Sequence, residues 1–160
     1  MDTSCCSNSR VNGGQIDCFA DVRSYTVETR RLHSATHEEI LHGCTTDVYF
    51  VKTRDVLRSA GVLSSHVTAE IFARKNGLFA GLDEAMEILG GKGLEIEALR
   101  EGDSFHPKEV LMRIAGPYED FGMYETVLLG MIASASSWAT AARACVDAAD
   151  GKPVLCFGAR

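Results

Sequence analysis

Six cysteines and five histidines are the residues of this chain best suited to metal or redox chemistry, and their spacing supports neither. Cys5, Cys6, Cys18, Cys44, Cys145 and Cys156 contain no C-x-x-C pair, and no histidine accompanies them at zinc-site spacing. A chain of 160 residues without a secretion signal does not need disulfides. The thiols therefore read as reduced, with Cys145 and Cys156 expected to be buried as small hydrophobes. Glu101 and Asp103 have the look of a paired-carboxylate site. Flanking Gly102, however, they are better read as a tight hairpin turn. Gly90-Gly91-Lys92-Gly93 is the nearest approach to a phosphate loop. It matches neither GxGxxG nor GxxxxGK[ST] and lacks the following helix, so it too reads as a turn. His33, His37, His42, His66 and His106 read as exposed or capping residues.

The elements that would position any site follow from periodicity. Ser34 or Thr36 can cap a short helix ending at Gly43, and Thr45-Thr46-Asp47 offers a cap for a second, which carries Val48, Val51, Val56 and Leu57 to a stop at Gly61. Val67, Ala69, Ile71 and Ala73 alternate with polar or exposed neighbours, predicting a strand. Gly81 opens a third helix with Ala85, Ile88 and Leu89 inward, closed by Gly90-Gly91. Leu94–Ala98 and Val110–Ile114 read as two further strands. Phe121, Tyr124, Val127, Leu128, Met131, Ala135, Trp138, Ala142 and Cys145 recur at steps of three and four, predicting one apolar helix face over about seven turns. Pro153–Phe157 reads as a buried strand. Such a strand normally leads into further elements, and the end at Arg160 therefore suggests a truncated chain.

Composition narrows the class. Hydrophobic residues make up 46% and charged residues 24%, as in a soluble globular domain. A net charge of −6 argues against a general nucleic-acid binder. Met1–Arg10 lacks the apolar core of a signal peptide, and Val127–Ala142 is short for a membrane span and bracketed by Glu125 and Arg143. A soluble, cytoplasmic protein without membrane contact is expected.

Eight stretches in order carry a resemblance. They are Thr46-Asp47-Val48-Tyr49-Phe50, Glu70-Ile71-Phe72-Ala73-Arg74, Phe79-Ala80-Gly81-Leu82-Asp83-Glu84 and Glu101-Gly102-Asp103. Gly116-Pro117-Tyr118, Glu125 to Gly130, Ala139 to Arg143 and Phe157-Gly158-Ala159-Arg160 complete the set. Together, from about residue 20 to the end, the chain resembles the N-terminal half of nicotinate phosphoribosyltransferases. Those are type II phosphoribosyltransferases related to quinolinate phosphoribosyltransferase. The resemblance implies an α/β fold: an N-terminal α+β domain with an open-faced sheet, a long connecting helix, and a C-terminal α/β barrel. A full barrel takes about 250 residues, so only its first strand fits here. The implied division is a disordered tail at 1–20, the N-terminal domain at 21–117, the connecting helix at 118–150 and the first barrel strand at 151–160.

The resemblance also implies a substrate-binding set. Tyr49 matches a tyrosine that stacks on the pyridine ring from across a dimer interface, a task suited to an aromatic face. Phe157 matches the aromatic at the end of the first barrel strand, on the other side of that ring. Arg160 matches an arginine beside the substrate, where a guanidinium grips carboxylate or phosphate with paired bonds. Arg74 matches an arginine reaching the phosphates of phosphoribosyl pyrophosphate in the partner subunit. Lys52, Arg54 and Lys75 read as solvated surface charges that could assist it. The histidine phosphorylated in the family lies beyond Arg160, so no catalytic residue falls within this chain, and no metal ligand does.

The implied reaction joins nicotinate to phosphoribosyl pyrophosphate, giving nicotinate mononucleotide and pyrophosphate in NAD biosynthesis. ATP hydrolysis drives it, and ATP and Mg2+ would be held mainly by the barrel. Positioning and charge stabilisation are the protein's share. A homodimer with shared sites is implied, and inactivity of these residues alone. The alternatives are decarboxylating quinolinate phosphoribosyltransferase, a lipoyl- or biotinyl-like carrier, and a non-enzymatic interaction domain. A carrier needs a lysine at the tip of the Glu101–Asp103 turn and has none. Quinolinate, with two carboxylates, would call for several basic residues.

Overall fold

Strong local signals set most element boundaries in the computed structural model, which describes residues 15–25 and 35–157. Helix α1 is Phe19–Ser24. Thr36 caps α2, His37–Leu41, accepting from the Glu39 N–H while the Glu39 carboxylate takes the Thr36 N–H in return. Asp47 caps α3, Val48–Ser59. Strand β1 is His66–Phe72, β2 is Gly77–Leu78, and α4 is Leu82–Leu89. Strands β3, Glu95–Ala98, β4, Ser104–Phe105, and β5, Val110–Pro117, follow. The chain then forms α5, Tyr118–Phe121, a 3-10 turn at Gly122–Tyr124, and the long helix α6, Glu125–Ala148.

Among the described residues the strands make a three-stranded antiparallel sheet in the order β1-β5-β3 and a small β2-β4 pair. The register places Glu70 opposite Arg113 and Arg113 opposite Glu97. On this exposed face the guanidinium bridges both carboxylates, at 2.7 and 3.4 Å. The opposite face carries Ala69, Ile71, Met112, Ile114 and Ile96 onto α4 and α6, where Ala85, Ile88, Leu89, Leu128 and Ile132 close the main core with Phe79, Phe105 and Phe121. The sheet is thus open on one side, as expected of this α/β class.

Pairs of hydrogen bonds fasten β2 and the loop after it to α6. Thr140 Oγ1 accepts from the Leu78 N–H, and Ser136 Oγ accepts from the Ala80 N–H while donating to the Ala80 carbonyl. A Cβ on Gly77 would stand 2.6 Å from the Phe105 ring and 2.9 Å from Thr140 Oγ1, so only glycine lets the strand come this close. The turn at Gly102, φ +88°, joins β3 to β4. Glu101 does more than turn: its carboxylate accepts from the Gly81 and Leu82 N–H groups at 2.8 and 2.6 Å, capping α4 from across the fold.

Several expectations need correction. Residues 15–20, assigned to an unstructured tail, start α1 and bury Ile16 and Cys18. The predicted helix over 118–150 is interrupted by the 3-10 turn, and from Ala141 to Ala148 every residue is exposed. Leu128 and Ile132 are buried, whereas Trp138 is 70% exposed and Ala142 and Cys145 are exposed. Beyond Thr140, where β2 is fastened, no described element covers the helix, so the periodic apolar face there does not become core. Cys145 and Cys156 are both exposed rather than buried, for the same reason. Pro153–Phe157 pairs with no described strand and is exposed.

Candidate functional site

Tyr49 is fixed at its backbone and exposed at its ring. The Asp47 carboxylate accepts the Tyr49 N–H at 2.9 Å, and the Asp47 N–H donates to Thr126 Oγ1 at 3.1 Å, docking the start of α3 onto the start of α6. The phenol is 65% exposed, and its ring meets Phe50 edge to face at 5.2 Å. A stacking face is therefore presented on a helix whose first turn is held at two points.

Two further groups belong to this corner, and the sequence reading gave them no role. Burial pushes the Tyr118 phenol up, the charges of Glu125 and Tyr49 push it further, and Arg54 opposes them. Loss of solvent raises the Glu125 carboxyl, at the first residue of α6. Glu125, Tyr49 and Arg54 are thus within electrostatic reach of Tyr118. Both missed residues lie in stretches that carried the resemblance, but their convergence depends on how the 3-10 turn at Gly122–Tyr124 packs against α3.

Arg54 is not the solvated charge expected of it. Its side chain is 15% exposed, a terminal nitrogen meets Asp17 Oδ1 at 2.8 Å, and its buried Nε has no hydrogen-bond partner. Lys52 stands 5.0 Å over the Phe19 ring. A polar crevice of about 170 Å3 opens between His42, Arg54, Lys92 and Tyr124, with the Lys92 ammonium 5.0 Å above the Tyr124 ring.

Arg74 and Lys75 follow β1 and are exposed, without an ion pair to any described residue. The local backbone is pinned: the Ala73 N–H donates to the Glu109 carbonyl and the Lys108 N–H to the Ala73 carbonyl. This end of the sheet leads into β2, which is fastened at Thr140, whereas α3 is fastened at Thr126. Fourteen residues of α6 separate those points, about 21 Å along the helix axis. Phe157 is 81% exposed and makes no ring contact with Tyr49. Arg160 lies outside the described residues. No group of three or more His, Cys, Asp or Glu side chains able to hold a metal ion occurs among the described residues. No helix among them is long and apolar enough to cross a membrane.

Comparison with known proteins bears on this arrangement. A sequence model of the family described as quinolinate phosphoribosyl transferase, N-terminal domain, matches residues 47–136. The solved nicotinate-nucleotide pyrophosphorylase from Pyrococcus furiosus matches at 39% identity and a TM-score of 0.76, over 82% of this chain and 35% of that one. Human nicotinic acid phosphoribosyltransferase matches at 22% identity and a TM-score of 0.59, over 69% of this chain and 29% of that one. The nicotinate-nucleotide pyrophosphorylase from Ehrlichia chaffeensis matches at 19% identity and a TM-score of 0.53, over 74% and 44%. The last two share the fold. The chain spans about a third of the length of the Pyrococcus furiosus protein.

Proposed function

Because this chain belongs to the quinolinate phosphoribosyltransferase N-terminal-domain family, within the type II phosphoribosyltransferases of NAD biosynthesis, we propose that it forms the ring-stacking part of an enzyme that joins nicotinate to phosphoribosyl pyrophosphate. Nicotinate mononucleotide and pyrophosphate are the products, with ATP hydrolysis coupled to the transfer, in the cytoplasm. The observation that carries this reading is Tyr49: an exposed ring on a helix start fixed by Asp47 and Thr126.

Each residue has a defined share. The ring of Tyr49 orients the pyridine by its face, and Phe157 and Arg160 are assigned to the other side of the same ring and to its carboxylate. Arg74, exposed and without an internal carboxylate, is assigned to a phosphate of phosphoribosyl pyrophosphate. The elements that carry Tyr49 and Arg74 are fastened to α6 at Thr126 and Thr140, points about 21 Å apart along the helix, and the two residues are assigned to different sites of a homodimer with shared sites. ATP and Mg2+, when bound, would supply driving force and charge neutralisation at the departing pyrophosphate. The work assigned to this chain's own residues is positioning. These 160 residues by themselves are expected to bind without turnover.

Quinolinate is the second reading, favoured by the description of the matching family. Against it, two cations that share α3 with Tyr49 already have partners, Lys52 over the Phe19 ring and Arg54 on Asp17, leaving few for a second carboxylate. The deciding experiment offers the protein in its full-length form either acid with phosphoribosyl pyrophosphate and follows pyrophosphate release. Turnover of nicotinate without release of carbon dioxide supports the proposal. Turnover confined to quinolinate, with carbon dioxide released, replaces it by the second reading.

A further inference from the structure

Resting on the reading of Tyr49 as the ring-stacking residue, we infer that the strap Gln15–Tyr25 is a positioning device for Tyr49, with Ile16 and Asp17 as its positioning residues. Four attachments hold the strap across α3 and α2. The Asp17 carboxylate receives Arg54 at 2.8 Å and Arg58 at 3.0 Å, and Arg58 also grips the Asp17 carbonyl. The Asp55 carboxylate accepts the Phe19 N–H at 2.8 Å, adding a partner from α3 to the capping box that Cys18 and Asp21 form at the start of α1. The Ile16 N–H donates to the His42 carbonyl at 2.9 Å, and Tyr25 Oη donates to Glu39 at 2.7 Å. Phe19 lies under both Arg23 and Lys52, each 5.0 Å from its centroid.

What the strap closes is a second apolar cluster, separate from the main core. Its buried members are Ile16, Val51 and Met123, and Phe50 packs against them. Phe50 in turn is the edge-to-face neighbour of Tyr49. Among the described residues Ile16 is one of three buried members of that cluster, so its removal leaves the packing around Val51 and Phe50 with a void. The consequence runs from strap to Phe50 to the tilt of the Tyr49 ring. The backbone of Tyr49 is held elsewhere, by Asp47, so releasing the strap alters the ring and not the fold of the sheet. The strap is itself charge-fastened: withdrawing Asp17 leaves the mostly buried Arg54 without its carboxylate, an unfavourable state for a desolvated guanidinium.

The test uses the full-length protein with Asp17→Ala, Ile16→Ala and Tyr49→Ala. Both strap variants should raise KM for the pyridine acid by roughly tenfold, equivalent to about 1.4 kcal/mol, with kcat and KM for phosphoribosyl pyrophosphate unchanged. Amide exchange of Phe50 and Val51 should accelerate in both, while β5 keeps its protection. If Tyr49→Ala raises KM for the acid and neither strap variant does, the strap inference fails and the reading of Tyr49 stands. If Tyr49→Ala has no effect on that KM, the reading of Tyr49 fails, and with it the inference. Unchanged exchange at Phe50 and Val51 in both strap variants also overturns the inference, whatever the kinetics.

Discussion

At the residue scale, Tyr49 and Glu125 illustrate different kinds of exposure. Tyr49 keeps a ring face in solvent with its N–H capped, so Tyr49→Ala should leave the melting temperature close to that of the parent while raising KM for the pyridine acid. Steady-state kinetics and a thermal melt on the same preparation check both halves. Glu125 shows what partial desolvation does to a charge. Its folded value lies above the ordinary 4.5, so the folded state keeps a proton that the unfolded chain has released. The native state therefore binds more protons in that window, and this contribution to stability is present below 4.5 and lost as pH rises through the folded value. Melts from acid to neutral pH should show a shallower decline across that window for Glu125→Gln than for the parent. Identical slopes would mean that solvent reaches the carboxylate in the folded protein as freely as in the unfolded one.

At the scale of elements, the β2–α6 junction depends on shape and on polar pairing together. Gly77→Ala places a methyl group 2.6 Å from Phe105 and 2.9 Å from Thr140 Oγ1, and overpacking of this kind costs about 1–3 kcal/mol. Ser136→Ala removes both the acceptor for the Ala80 N–H and a donor to the Ala80 carbonyl, at about 1–3 kcal/mol for the buried groups left unpaired. Denaturant titration of each variant measures these losses directly. The helix caps were largely legible beforehand: Thr36 and Asp47 stand where the sequence places them, because capping depends only on residues within one turn. The cap of α4 was not. It comes from Glu101, some twenty residues away, and a carboxylate beside a turn gives no local sign of which helix end it will reach.

For the whole molecule, the division into a main core and a strap-closed cluster explains where the sequence reading held and where it did not. The main core follows periodic apolar positions, and Phe79 is fully buried within it. Phe79→Ala should cost about 3–5 kcal/mol, read as a lowered midpoint in denaturant. The second half of α6 shows the opposite case: the same periodicity continues to Cys145, yet Trp138 and Cys145 are exposed. Brief alkylation of the native protein followed by peptide mass spectrometry should label Cys145 and Cys156 well before the buried Cys18. Protection of Cys145 equal to that of Cys18 would place a covering surface over this half of the helix in solution.

What the sequence determined by itself was local and short in range. Helix caps, strand alternation, the glycine turns and the family were all readable, because propensity, capping and binary pattern act over a few residues. The tertiary structure decided which apolar faces are covered, and it brought Tyr49 and Glu125 within electrostatic reach of Tyr118. It also turned Arg54 from a surface charge into the anchor of a strap, through Asp17, which lies 37 residues earlier in the chain. Those outcomes depend on which surfaces meet after loop closure. A one-dimensional pattern records that a face is apolar, but only the packed chain determines what lies against it.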